Sequence, residues 1–176
     1  ADNRGGGIAF ISESSDVSNE STLLHVTLID NEATGLDGGE GGGGGISINV
    51  PPGIQGTHDI RNAIVFTNTA VVDDPNIQVI AGTLVTSSVI STGGPNPKLG
   101  PLQLNGGGTE TYALLPGSPA IDAGDDAYTT ATDQRGVARP VGESCDLGAY
   151  ECEPPNTLYV DDDWTDQGNA GGHDWG

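Results

Sequence analysis

The chain has 176 residues, of which 29 are glycine and none is methionine, and its 25 acidic and 5 basic side chains leave a formal net charge of −20. That length suits one domain with a tail, and the charge excludes nucleic acid and anionic lipid surfaces as partners. No stretch reaches the ~18 apolar residues of a membrane span and no basic, apolar leader opens the chain, so no membrane insertion is expected and the missing methionine marks a processed product or a piece of something longer.

From the first residues onward the sequence repeats itself. Gly5-Gly6-Gly7-Ile8-Ala9-Phe10-Ile11 is echoed by Gly43-Gly44-Gly45-Ile46-Ser47-Ile48, and the run Leu23 to Ala33 is echoed by Ile60 to Ala70. Aligning Asn31 with Asn68, a spacing of 37, sets Leu28 over Val65 and Ile29 over Phe66; a further run, Thr86 to Thr92, follows 24 residues after the second copy. The two intervals agree if the acidic, glycine-rich stretch from Thr34 to Gly45 is an insertion into a coil of about 24 residues. Short β-branched runs that alternate and are punctuated by glycine predict strands stacked coil on coil. The expected fold is therefore all-β, a right-handed parallel β-helix (β-solenoid) over residues 1–94, with an irregular C-terminal cap and an extended tail. Asn31 and Asn68, at the same bend of successive coils, are read as a side-chain ladder. The competing reading is two unrelated left-handed turn residues. His25 alternates out of phase with Leu24 and Val26, so it is expected to face solvent or fill a bend.

Residues 95–153 change character. A Pro-rich stretch, Pro95 to Leu102, leads into Leu104-Asn105-Gly106-Gly107-Gly108-Thr109, Leu114-Leu115-Pro116-Gly117-Ser118-Pro119-Ala120-Ile121-Asp122-Ala123-Gly124, Asp133-Gln134-Arg135-Gly136-Val137-Ala138-Arg139-Pro140 and Cys145-Asp146-Leu147-Gly148-Ala149-Tyr150-Glu151. These blocks, in this order, resemble the C-terminal segment of the choice-of-anchor Q domain proteins, bacterial surface proteins related to the pectate-lyase-like and polymorphic outer-membrane β-helices. Gly108 stands where that family usually has Pro, and Leu147 where it has Ile. The resemblance implies a secreted or cell-surface β-helix closed by this segment and implies no catalytic residue. Proline, glycine and charge also blunt strand edges, which is what a closing segment requires. Arg135 and Arg139 are two of the five basic residues, set among Asp122, Asp125, Asp126, Asp133 and Asp146, and at least one is expected to pair with a carboxylate and pin the cap. Cys145 and Cys152 are the only cysteines, and in a chain of extracellular composition they are expected to form a disulfide.

Residues 154–176 read as a Pro-Pro linker and a tail. Leu158-Tyr159-Val160 is a short strand suited to donation onto the open edge of another copy, which would join subunits head to tail by β-augmentation into a filament. Asp161, Asp163, Asp166 and Asn169 offer hard oxygen ligands around Gly168, making calcium the one metal the composition favours; Asp122, Asp125 and Asp126 form a weaker set. Trp164 and Trp175 suggest sugar stacking, with anchoring of the tail as the plainer reading. Asp73-Asp74 and Asp125-Asp126 are poor acid–base pairs because neighbours on a strand face opposite ways. His25, His58 and His173 show no orienting partner in the sequence. The expectation is a non-enzymatic, extracellular structural rod that self-associates, with a glycan-binding or adhesive module as the alternative and a polysaccharide lyase or hydrolase behind it.

Overall fold

The computed structural model describes residues 7–11, 20–34, 43–49, 56–71, 75–79, 82–91 and 93–153. In chain order its strands are β1 (Ile8–Ile11), β2 (Glu20–Leu24), β3 (Thr27–Ile29), β4 (Glu32–Ala33), β5 (Ile46–Asn49), β6 (Thr57–Phe66), β7 (Thr69–Ala70), β8 (Ile77–Val79), β9 (Thr83–Ser91), β10 (Leu99–Leu104) and β11 (Glu110–Leu114), followed by a 3-10 turn at Asp126–Tyr128. β1, β5 and β8 form one parallel sheet; β2 and β3 both pair with the long β6, which pairs on its other edge with β9; β4 pairs with β7. The pairings Ile8 with Ile46, Leu28 with Val65 and Ile29 with Phe66 are present.

The architecture built on those pairings is corrected. The sheets are small and separate, two to four strands each, and none curls or closes as a β-solenoid would. β4 and β7 hold only two residues each, too few for a continuous wall, and after β9 the chain turns antiparallel in the β10–β11 hairpin. The chain is an all-β domain of small sheets, unlike a regular parallel β-helix, and the likeness to the choice-of-anchor Q proteins falls with that geometry. The rod and the head-to-tail filament fall too, because no solenoid provides an axis along which copies could stack. Leu158, Tyr159 and Val160, named as a donor strand, lie outside the described residues, as do Asp73, Asp74, Trp164, Trp175 and His173.

The middle sheet carries a feature that the site depends on. Leu24 pairs with Arg61 and Thr27 with Ile64, while Arg61 pairs with Ser87 and Ala63 with Val89. His25, Asn62 and Ser88 thus stand in one row, and all three are left-handed, with φ of 52°, 51° and 53°. Asp30 and Thr67 make a second such pair at φ 56° and 55°. Left-handed residues at matched positions bend neighbouring strands together, so the sheet turns a corner without losing its register.

Alternation then buries both faces of β6. Ile46, Ile48, Ile60, Ala63 and Val65 pack with Phe10, Leu28 and Val89 on one face. Ile64 points the other way, and with Ile90 it meets Leu114, Ala120 and Leu147, flanked by Ile29, Phe66 and Tyr150. Residues 118–153 therefore lie across the outer face of this sheet as a clasp. Fully burying one such aliphatic side chain contributes about 1.5–3 kcal/mol, and Ile64 is wholly buried.

Candidate functional site

The clasp meets the sheet at the left-handed corner. Asn62 treats Asp125 as a paired backbone, its Oδ1 accepting from the Asp125 N–H at 2.8 Å and its Nδ2 donating to the Asp125 carbonyl at 3.0 Å. The same Nδ2 lies 3.2 Å from His25 Nε2. The Gly148 N–H donates to the Asn62 carbonyl at 2.8 Å, and the Ala149 N–H donates to Thr27 Oγ1 at 2.9 Å. Gly148 has φ +84°, and a Cβ there would strike Thr27 Oγ1 and lie 3.0 Å from Ile64 Cδ1, so only glycine lets the chain lie this close to the sheet.

Above the corner sits a knot of arginines and carboxylates. Arg139 donates from one nitrogen to Glu151 Oε2 at 2.7 Å and to the Asp146 carbonyl at 2.9 Å, and from the other to the Gly148 carbonyl at 2.7 Å. The Arg139 and Glu151 side chains are both 0% exposed. Glu151 also accepts from the Asp146 N–H at 3.0 Å and the Val141 N–H at 2.6 Å. Arg135 Nε donates to Asp133 Oδ2 at 2.8 Å, and its guanidinium stacks 3.6 Å from the centre of the Tyr150 ring. Asp133 accepts in addition from the amides of Arg135, Val137 and Glu151.

Burial works against ionisation of Asp133, but the Glu151 and Val137 amides and the Arg135 guanidinium outweigh it and hold the carboxyl below its ordinary range. Asp146 accepts from the amides of Asp122 and Cys152, yet burial dominates and pushes its carboxyl up to about 6. Burial pulls the Arg139 guanidinium down, opposed chiefly by Glu151.

The disulfide expectation is corrected here. Cys145 and Cys152 are both free thiols. Cys145 is buried and points at Gly124 and at Asn62 Nδ2, 3.7 Å away. Cys152 instead turns its sulfur toward the Glu153 carbonyl and a cavity of about 520 Å³ bounded by Leu114, Ile121, Val141 and Tyr150. The two sulfurs face different surroundings, and no bond joins them. Calcium was expected at Asp161, Asp163, Asp166 and Asn169, which lie outside the described residues. Among the described residues no group of three or more His, Cys, Asp or Glu side chains is placed to hold a metal ion. The weaker aspartate set is occupied by backbone: Asp122 Oδ1 caps the Glu143 and Ser144 amides, Asp125 Oδ1 caps Ala127, and Asp126 Oδ1 caps Cys145.

The structure brings Asn31 and Asn68 together. Asn68 Oδ1 accepts from both the backbone N–H and the Nδ2 of Asn31 at 2.9 Å, and Asn68 Nδ2 donates to Asn76 Oδ1 at 3.0 Å. Arg135 and Arg139 share the knot. Sequence reasoning missed Asn76, the role of Glu151, the His25–Asn62 contact, and a Ser21 Oγ to His58 Nδ1 hydrogen bond of 2.7 Å. The last two pairs are each 37 residues apart, so the same spacing that aligned Asn31 with Asn68 would have found them. His25 is buried at the corner and does not face solvent. The Ser21–His58 pair has the contact of a nucleophile and its base; His58 is buried beneath Phe10, and its Nε2 has no hydrogen-bond partner among the described residues. No helix among the described residues is long and apolar enough to cross a membrane. Set against known proteins, the chain matches no family model, no curated protein and no solved structure.

Proposed function

We propose that the chain is a non-catalytic domain that works outside the cell, with residues 118–153 serving as a clasp that seals the outer face of its middle sheet. One observation carries the first part: the buried carboxylates of the knot are occupied by guanidinium groups and backbone amides. A general acid or base needs an oxygen within reach of substrate, whereas Asp133, Asp146 and Glu151 direct theirs at the protein's own N–H groups. The extracellular part is supported by the net charge of −20. The test takes the full chain and the cells that make it. Incubation with neutral and acidic polysaccharides should release no product above a blank, and fractionation should place the protein in the medium or on the cell surface. Turnover by the wild-type chain overturns the first part, and a cytoplasmic pool overturns the second.

A further inference from the structure

His25 is buried at the corner with its Nε2 3.2 Å from the amide nitrogen of Asn62. The orientation of the Asn62 amide is set by its two hydrogen bonds to Asp125, so an N–H of Asn62 faces His25 Nε2. The same Nδ2 reaches the Asp125 and Tyr128 carbonyls at 3.0 and 3.3 Å, and with Nε2 as the accepting nitrogen the ring proton falls on Nδ1, which is buried without a hydrogen-bond partner among the described residues. A second proton would oppose N–H to N–H. It would also add a positive charge beside Arg139, whose guanidinium donates to the Asp146 and Gly148 carbonyls that border the His25 ring.

The charged and titratable groups around the ring come from each element packed on it. Arg139, its partner Glu151, Cys145 and Asp146 belong to the clasp; Asp125, Asp126 and Tyr128 flank it from the 3-10 turn; Arg61 precedes Asn62 on β6 and stacks 3.8 Å from the centre of the Tyr128 ring. The carbonyls of Asp146, Gly148 and Tyr128 favour a proton on the ring, and burial together with Arg139 outweighs them.

We propose that His25 is an acid-release latch: its neutral ring holds residues 118–153 against the corner of β2, β3 and β6, and its protonation frees the clasp while the parallel strands stay paired. The latch rests on the geometry of the clasp and not on where the domain works. Burial first and Arg139 second push the His25 pKa from 6.5 down to about 4. A base whose folded value is depressed stabilises the closed form above its open-state value, here about 6.5, and that stabilisation is lost as pH falls through about 4. Clasp opening through His25 alone therefore rises about 20-fold between pH 7 and pH 5, toward a ceiling of about 300-fold.

The test compares the full chain with His25→Asn, since asparagine tolerates positive φ and stays neutral. Amide hydrogen exchange is read at Leu147 and Gly148, which bond to the Ala120 and Asn62 carbonyls at 2.9 and 2.8 Å, and at the β6–β9 ladder as a reference. The ratio of clasp opening, wild type over variant, should climb about 20-fold from pH 7 to pH 5 while the ladder ratio stays flat. A constant clasp ratio, or a ladder that opens together with the clasp, overturns the latch. The imidazole carbon resonances of the wild-type chain supply a second readout that needs no variant. The His25 midpoint should lie well below 5, and a midpoint near 6.5 with the clasp amides still protected overturns the latch as well.

Discussion

Replacing Glu151 with glutamine should unlock the knot. Its two oxygens accept from Arg139, Asp146 N–H and Val141 N–H, one oxygen serving the first two and the other the third. A glutamine NH₂ in either orientation must face one of those donors, so the change removes the negative charge opposite a buried guanidinium and strands a donor. Breaking a buried ion pair by removing one partner costs about 3–5 kcal/mol, and an unsatisfied buried N–H about 1–3 kcal/mol. The two overlap, and about 4 kcal/mol is the expected loss, a third or more of the stability of an ordinary domain. Asp59→Asn is the control: its 3.4 Å pair with Arg61 is more open to water and contributes about 0–1 kcal/mol. Urea unfolding followed by far-UV circular dichroism separates the two, because ~4 kcal/mol lowers the midpoint by about 2 M at an ordinary slope. A Glu151→Gln midpoint no lower than that of Asp59→Asn would refute the structural role assigned to the knot.

Gly148→Ala should cost at least about 2 kcal/mol, since it combines positive φ with a clash against Thr27 and Ile64; equilibrium unfolding measures it. Asn68→Ala removes the acceptor of two Asn31 donors and the donors to Asn76 and the Leu28 carbonyl, and should cost about 2–3 kcal/mol in the same assay. Intact mass without reductant should show two alkylatable thiols, with Cys152 labelled in the native protein and Cys145 only after denaturation. In His25→Asn the opposite effect of Asp146 is left standing. Its carboxyl is raised from 3.8 to about 6, so its stabilising contribution is complete below about 3.8 and lost as pH rises through 6. That variant should gain about 1–2 kcal/mol from this group between pH 7 and pH 5, as followed by urea midpoints at each pH.

Spacing made the strand register legible. Once Asn31 is set on Asn68, the partners of Leu28 and Ile29 follow, because parallel strands that bury small alternating side chains tolerate no slip; Ile8 meets Ile46 one residue out of that register, and the echoed Gly-Gly-Gly-Ile run is what marks the pair. The extent of the sheets was not legible. Nothing in Glu32-Ala33 or Thr69-Ala70 says that pairing stops after two residues, so a local repeat was extended into a closed solenoid that the chain does not form. The outer face of β6 was hidden for a related reason. Ile64 and Ile90 look like ordinary members of buried strands, and only the packed structure shows that Leu114, Ala120 and Leu147 cover them. In the knot, Arg135 meets Asp133, a near neighbour in sequence, whereas Arg139 takes Glu151, which stood outside the aspartates considered for it. The disulfide failed on side-chain direction. Six intervening residues allow closure, but Cys145 points into the corner and Cys152 into the cavity.

The seal between clasp and sheet is tested most directly by methyl-methyl nuclear Overhauser contacts in the full chain at neutral pH. Ile64 should show a cross-peak to Leu147, and Ile90 should report the same cluster with Leu114 and Ala120. Cross-peaks from Ile64 only to residues of the parallel strands, with none to Leu147, would contradict the clasp and with it the account of the site.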